Sequence, residues 1–404
     1  MTNIKISKDN VYKIVIFLSL LITGATIIFL YLTTKNDVIL KENLTCNFRE
    51  EVYIKDFIYK IDGKLIDNYL VDTNEVGLKN LIITYKNNYG FIIGKKLTIE
   101  VKDVTSPTVI VNDPYTVEEG SITNLEETIF CADDYDDNIN CNITGEYDLN
   151  KIGRYNLNIT ATDHSNNSTI KNFVLNVIEK EPTTSNTNNN SKRYTRYETI
   201  YNKYKSENTK IGLDISKWQG EVDYKKLKQQ DIDFVMLKIG GQTEINGDFN
   251  LDPMFYQNIE EAIANDIRVG IYFYSYATTE KEAQEQANWI IKKIKDYDIT
   301  LPIVFDWENW NNYTNFKLSF HSLNKIAASF IERIEDQGYK GMLYSSKYYL
   351  ENIWYQEDYT NWLAYYTTDF YDYNNYYMWQ VCNDGKIDGI ESYVDIDVMY
   401  EESA

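Results

Sequence analysis

Twenty-one consecutive residues near the start of the chain, Ile14 to Thr34, carry no charge and are mostly apolar. As a helix this run spans about 31 Å, enough to cross a bilayer. A cleaved signal peptide and a buried core helix are the competing readings. The run outlasts a signal core, and its end, Leu32-Thr-Thr-Lys35, lacks a small-x-small cleavage pattern. An uncleaved anchor over residues 14–34 is therefore expected. Lys5, Lys8 and Lys13 precede it and favour a cytoplasmic segment, residues 1–13, with everything after the anchor outside the cell. Lys35 and Lys41 weaken that asymmetry.

The 404 residues exceed one ordinary domain. With 61 acidic against 40 basic residues, the net charge is -21, which disfavours a nucleic-acid partner. The two histidines, His164 and His321, stand far apart in sequence, so no histidine-rich metal centre is expected. The four cysteines, Cys46, Cys131, Cys141 and Cys382, form no C-x-x-C pattern. Neither a metal nor a cofactor is called for.

Residues 45–180 alternate apolar and polar positions in short runs punctuated by Gly, Asn and Asp, the pattern of an all-β region. A repeat appears at a spacing of 76 residues: the segment from Asp72 to Thr84 answers that from Asp148 to Thr160, with a turn at Gly77 or Gly153 before each strand. Two sandwich-like modules are expected, 45–104 and 105–179. Cys131 and Cys141 flank one short loop of the second, and on the oxidising side of a membrane a disulfide between them is expected. The acidic run from Asp133 to Asp137 reads as a solvated turn, with calcium binding as the alternative. Residues 180–207, polar and nearly free of apolar side chains, read as a flexible linker. The modules and linker would then form a stalk.

From residue 208 to the end the pattern changes to buried-strand runs alternating with helical stretches. Runs at 210–216, 233–239, 268–276, 301–309, 341–346, 361–366, 376–381 and 393–399 predict eight strands, and helices are predicted at 253–265, 279–295 and 319–337. That alternation argues for a closed α/β barrel, whose chemistry gathers at the C-terminal ends of its strands. In the fourth run, Leu301-Pro-Ile-Val-Phe-Asp-Trp-Glu-Asn309, a strand period of two points Asp306 and Glu308 to one face, their alpha carbons roughly 6.6 Å apart. Glycosidic cleavage needs such a pair, one carboxyl protonated and one ionised. An exposed acidic strand end is the plainer alternative.

Several motifs in this half resemble those of the glycoside hydrolase family 25 muramidases, the Chalaropsis-type lysozymes. They are Gly212-Leu-Asp-Ile-Ser-Lys-Trp-Gln-Gly220, Gly270-Ile-Tyr-Phe-Tyr-Ser-Tyr276, Phe305-Asp-Trp-Glu308, Trp362-Leu-Ala-Tyr-Tyr366, Trp379-Gln380 and Val394-Asp-Ile-Asp397. The resemblance implies an irregular α/β barrel that cleaves the β-1,4 bond between N-acetylmuramic acid and N-acetylglucosamine in peptidoglycan. It implies Glu308 as proton donor and Asp306 as support for a cation or an oxazolinium, with Asp214 and Asp395 in the same acidic pocket. Tyr272, Tyr274, Tyr344, Trp362, Tyr366 and Gln380 would contact sugar, although core packing is an equal reading for any one aromatic. Asp397 stands where the family often has a non-acidic residue. The second β module, with Ala161-Thr-Asp-His-Ser-Asn-Asn167, resembles Ig-like repeats of bacterial surface proteins. The rival from another class is a barrel that grips wall glycan without cutting it.

Overall fold

The computed structural model describes residues 8–34, 38–180, 194–355, 359–367 and 376–400. Two compact units result, Met1–Val104 and Thr105–Ala404.

The first unit begins with the helix Lys8–Thr34, exposed over most of its length and long and apolar enough to cross a membrane. Its β module has a four-stranded sheet of Gly63–Leu65, Gly77–Asn87, Ile92–Lys102 and Thr45–Asn47, plus a two-stranded ladder of Val38–Leu40 and Ile58–Ile61. Alternation along Ile92–Lys102 sends Leu97, Ile99 and Val101 into a core shared with Ile54, Phe57 and Ile83.

The second unit opens with the repeat of that module. Gly153–Thr162 and Ser168–Ile178 form its central hairpin, flanked by Asn140–Thr144 and Tyr115–Glu118, and Thr108–Ile110 pairs with Phe130–Ala132. Both modules thus show a four-stranded sheet beside a short ladder, a simpler arrangement than the full two-sheet sandwich expected. Cys131 and Cys141 are joined by a disulfide. The acidic run is only in part the solvated turn expected, since Asp137 is exposed but Asp133 is buried. Asp133 is 1% exposed, its Oδ1 accepts from the amides of Tyr135 and Asp136, and Asp137 reaches the barrel. Loop amides needing acceptors turn these carboxylates inward.

The expected linker also departs from its reading. Residues 181–193 lie outside the described residues, but Tyr197–Tyr204 is a helix on the barrel, with Tyr197 and Ile200 buried. Lys205 then forms an ion pair with Asp233 at 2.7 Å. Two apolar contacts one helical turn apart suffice to dock this segment, and average polarity hides them.

The barrel strands are β1 (Thr209–Ile215), β2 (Phe234–Gly241), β3 (Arg268–Tyr274), β4 (Ile303–Asp306), β5 (Gly341–Ser346), β6 (Asn361–Ala364), β7 (Tyr376–Lys386) and β8 (Val394–Tyr400). β1 to β7 run parallel in sequence order, and β8 closes the ring antiparallel between β7 and β1. The helices Phe255–Ala264, Glu280–Ile294 and Phe320–Glu335 cover the outside. Ser319 and Thr279 cap the last two through their side chains. The interior is filled by Phe234, Met236, Val304, Met342, Met378 and Met399. A bulge follows Lys238, where Gly240 passes so close to Asn250 that a Cβ would lie 2.0 Å from its carbonyl oxygen.

Candidate active site

Strand register assembles the site. The C-terminal ends of β1–β7 open on one mouth, and antiparallel β8 delivers its N-terminal end there. Asp214 on β1 is paired with Asp395 on β8. Tyr274, Asp306, Tyr344 and Trp362 fall in one row across β3 to β6. A cleft of about 420 Å³ lies above, lined by all four acids expected from the sequence. A second hollow of about 460 Å³ shares Glu308, Tyr344 and Tyr366 with it.

Asp306 is 4% exposed, whereas Glu308, two residues past the strand end, opens to the cleft. Trp307 between them is fully buried and turns away, as the strand period requires. The two carboxyls are close enough to influence each other's protonation. Burial, then the charge of Glu308, pushes Asp306 well above the usual carboxylate range. Burial also raises Glu308, opposed by Asp306 and by Lys238. Both carboxyls are therefore raised, and they titrate as a pair rather than one by one.

The other two acids are tied together by Gln380. Its amide nitrogen donates to Asp395 Oδ2 at 2.9 Å and to Asp214 Oδ2 at 3.3 Å, and its oxygen accepts from Tyr344 and Tyr366 at 2.9 and 3.0 Å. Both donors and both lone pairs are used, and the residue is 1% exposed. Gln380 is thus a brace for the acids and not a free sugar contact. Burial, then Asp395, raises Asp214 strongly, while burial and Glu308 push Asp395 up to about 7. Asp397, fully buried one layer below, accepts from the Trp362 indole at 3.0 Å. Burial and the charges of Asp214 and Asp395 raise it too.

The aromatics divide by depth. Trp362 is 1% exposed and packs edge-on against Tyr272 and Tyr344, so no face of it is free to stack. Tyr272 and Tyr344 are buried as well, which leaves Tyr274, half-buried, and Tyr366, exposed, as available rings. The sequence reading omitted two residues. Lys238 is the only cation lining the cleft among the described residues, with Nζ 4.8 Å from the Tyr274 ring centre and 5.7 Å from that of Tyr272. Its position at the end of a buried-strand run was the available signal. Trp218, 73% exposed at the rim, sits on a turn fixed by Ser216 and Gln219, whose side chains accept from the amides of Trp218 and Ser216.

The chain matches the family model for glycosyl hydrolases family 25 over residues 213–390. Residues 213–390 are a family 25 domain. An uncharacterised Escherichia coli protein, YegX, is 26% identical over 193 residues, 46% of this chain and 68% of its own length. The modular autolysin LytC of Streptococcus pneumoniae, solved with a synthetic peptidoglycan ligand, aligns at 25% identity and a TM-score of 0.44, covering 60% of this chain and 56% of its own. A family 25 glycosyl hydrolase from Bacillus anthracis aligns at 23% identity and a TM-score of 0.41, over 50% of this chain and 91% of its own. This chain therefore spans little more than half of the autolysin. The family model carries the assignment of the family 25 domain, and it includes Asp214, Asp306, Glu308 and Gln380 but stops short of Asp395.

Proposed function

We propose that the family 25 domain hydrolyses peptidoglycan glycan strands at the β-1,4 bond between N-acetylmuramic acid and N-acetylglucosamine. The observation that carries this reading is the pair of carboxyls at the end of β4, one deep and one open to the same cleft. Only the open one, Glu308, can reach a leaving oxygen. Substrate filling the cleft excludes water and favours the protonated form of Glu308, which donates its proton as the bond breaks. Asp306, now ionised beneath, supports the positive charge on the sugar or on an oxazolinium formed by the substrate's own acetamido group. Asp214 and Asp395, braced by Gln380, add negative charge to the pocket in proportion to their ionised fraction, which favours both the cation and a protonated Glu308. Lys238 offsets part of that charge. Tyr274, Tyr366 and Trp218 offer faces for sugar rings.

The helix Lys8–Thr34 is read as a membrane anchor that leaves the hydrolase outside the cell, facing the wall. The two β modules are read as Ig-like repeats of a surface protein.

The test is mass spectrometry of the fragments released from purified peptidoglycan. Muropeptides ending in reducing N-acetylmuramic acid are expected from the parent protein. Glu308→Gln should lower the rate by about 10²–10⁴-fold with the fold unchanged, since an amide cannot donate the proton. A parent chain that sediments with wall and releases no fragments is the glycan-binding alternative and overturns the reading.

A further inference from the structure

The second β module does not hang from the barrel but grips the segment that follows Glu308. Phe130 stacks on Tyr313 with ring centres 4.9 Å apart and tilts against Phe320 at 6.2 Å. Thr314 donates its hydroxyl to the Ile129 carbonyl at 2.7 Å and accepts the Cys131 amide at 3.2 Å. The start of the helix Phe320–Glu335 is capped from the module. The amides of Phe320 and His321 donate to the carbonyls of Asp133 and Asp134, both at 2.9 Å. The Ser319 amide donates to Asp137 Oδ1 at 2.5 Å, and the Ser322 hydroxyl to Oδ2 at 3.2 Å. A helix leaves its first amides without internal acceptors, and here another module supplies them.

The grip reaches the catalytic strand end. Tyr313 lies 5.5 Å from Trp307 and is stacked 5.8 Å from Trp310, and Trp307 also packs on Trp310 at 4.9 Å and Phe316 at 4.8 Å. Trp307 is the residue between the two carboxyls, and the Trp310 amide donates to the Glu308 carbonyl at 2.8 Å. Phe130 is thus two ring contacts away from the peptide that aims Glu308. The Cys131–Cys141 disulfide fastens this gripping edge to the rest of its module.

We propose that the module at 105–180 is a positioning element of the active site, with Phe130 and Asp137 holding the 307–322 segment so that Glu308 faces the cleft. The inference rests on the hydrolase reading for its kinetic consequence, but its structural half can be read without activity. Phe130→Ala, Asp137→Ala and Asp137→Asn are compared in the full chain, with Ile170→Ala, on the exposed face of the module, as control. Hydrogen exchange of amides 308–322 should quicken by about tenfold in both alanine variants, while β1 and β2 stay protected. The kcat on soluble glycan fragments should fall by about tenfold with KM within about twofold, because a displaced acid costs rate more than binding. Asp137→Asn keeps an acceptor oxygen and should recover most of the loss. Should Phe130→Ala fail to fold, Phe130→Leu keeps bulk without the stack and is read in the same way. Exchange at 308–322 within twofold of the parent in both Phe130 and Asp137→Ala variants overturns the proposal. A parent chain that cleaves no glycan sinks the hydrolase reading alone, and the exchange data still decide this one.

Discussion

The two β modules begin as the same object and end in different places. Their central hairpins, Gly77–Asn87 with Ile92–Lys102 and Gly153–Thr162 with Ser168–Ile178, start 76 residues apart strand by strand, and even the pair Gly77 with Val101 recurs as Gly153 with Val177. Yet the segment before the hairpin diverges. Ile54 is fully buried in the first module's own core, whereas Phe130, at the equivalent position, packs into the core of the barrel. A repeat fixes the hairpin because its alternation and its turn glycine act locally. A few side chains on one short edge decide whether the module closes on itself or completes a neighbour.

That contrast can be broken at its two key residues. Phe130→Ala should cost the second unit about 3–5 kcal/mol, and Ile54→Ala should cost the first about 2–5 kcal/mol. Scanning calorimetry of the full chain should show each substitution lowering a different transition, and only Phe130→Ala should slow glycan hydrolysis. If both lower the same transition, the modules are not separately committed.

The disulfide sharpens the comparison from the covalent side, since only the second module has one. Replacing Cys131 and Cys141 by serine should remove about 2–3 kcal/mol from the second unit. The same replacement should quicken exchange at 308–322, through the edge that carries Phe130. An unchanged second transition would show that the barrel contact alone holds that edge.

The smallest expected effect is that of pH. Asp214, Asp306, Glu308 and Asp395 all have folded pKa values raised above their unfolded ones, Asp395 to about 7. The folded second unit therefore holds more protons than its unfolded chain, and its stability falls as pH rises from about 4, the unfolded carboxylate range, to about 7. Its transition should drop over that window in a pH series of melting curves. Asp395→Asn should flatten the upper part of the slope, and a slope unchanged by that substitution would remove Asp395 from the set. On the proposed mechanism, which needs Glu308 protonated, hydrolysis should decline on the alkaline side as the β4 pair loses its proton.

Much of this protein was written in local pattern. The uncharged run at 14–34, the 76-residue repeat, the eight barrel strands and the same-face placement of Asp306 and Glu308 follow from periods of 3.6 and 2 and from turn residues, all of which act within a few positions. What crosses the chain was not legible. The register of β8 against β1 sets Asp395 beside Asp214, and only the closed ring shows that Gln380 spends every hydrogen bond bracing them. Burial depth, which separates Asp306 from Glu308 and hides Trp362 while exposing Trp218, is a property of the assembled barrel. The docking of Phe130 and Asp137 on the 313–322 segment joins residues more than 180 positions apart, as the Asp137–Ser319 bond does across 182. An apolar ring or a carboxylate announces that it needs a partner, and the tertiary fold alone says which one it meets.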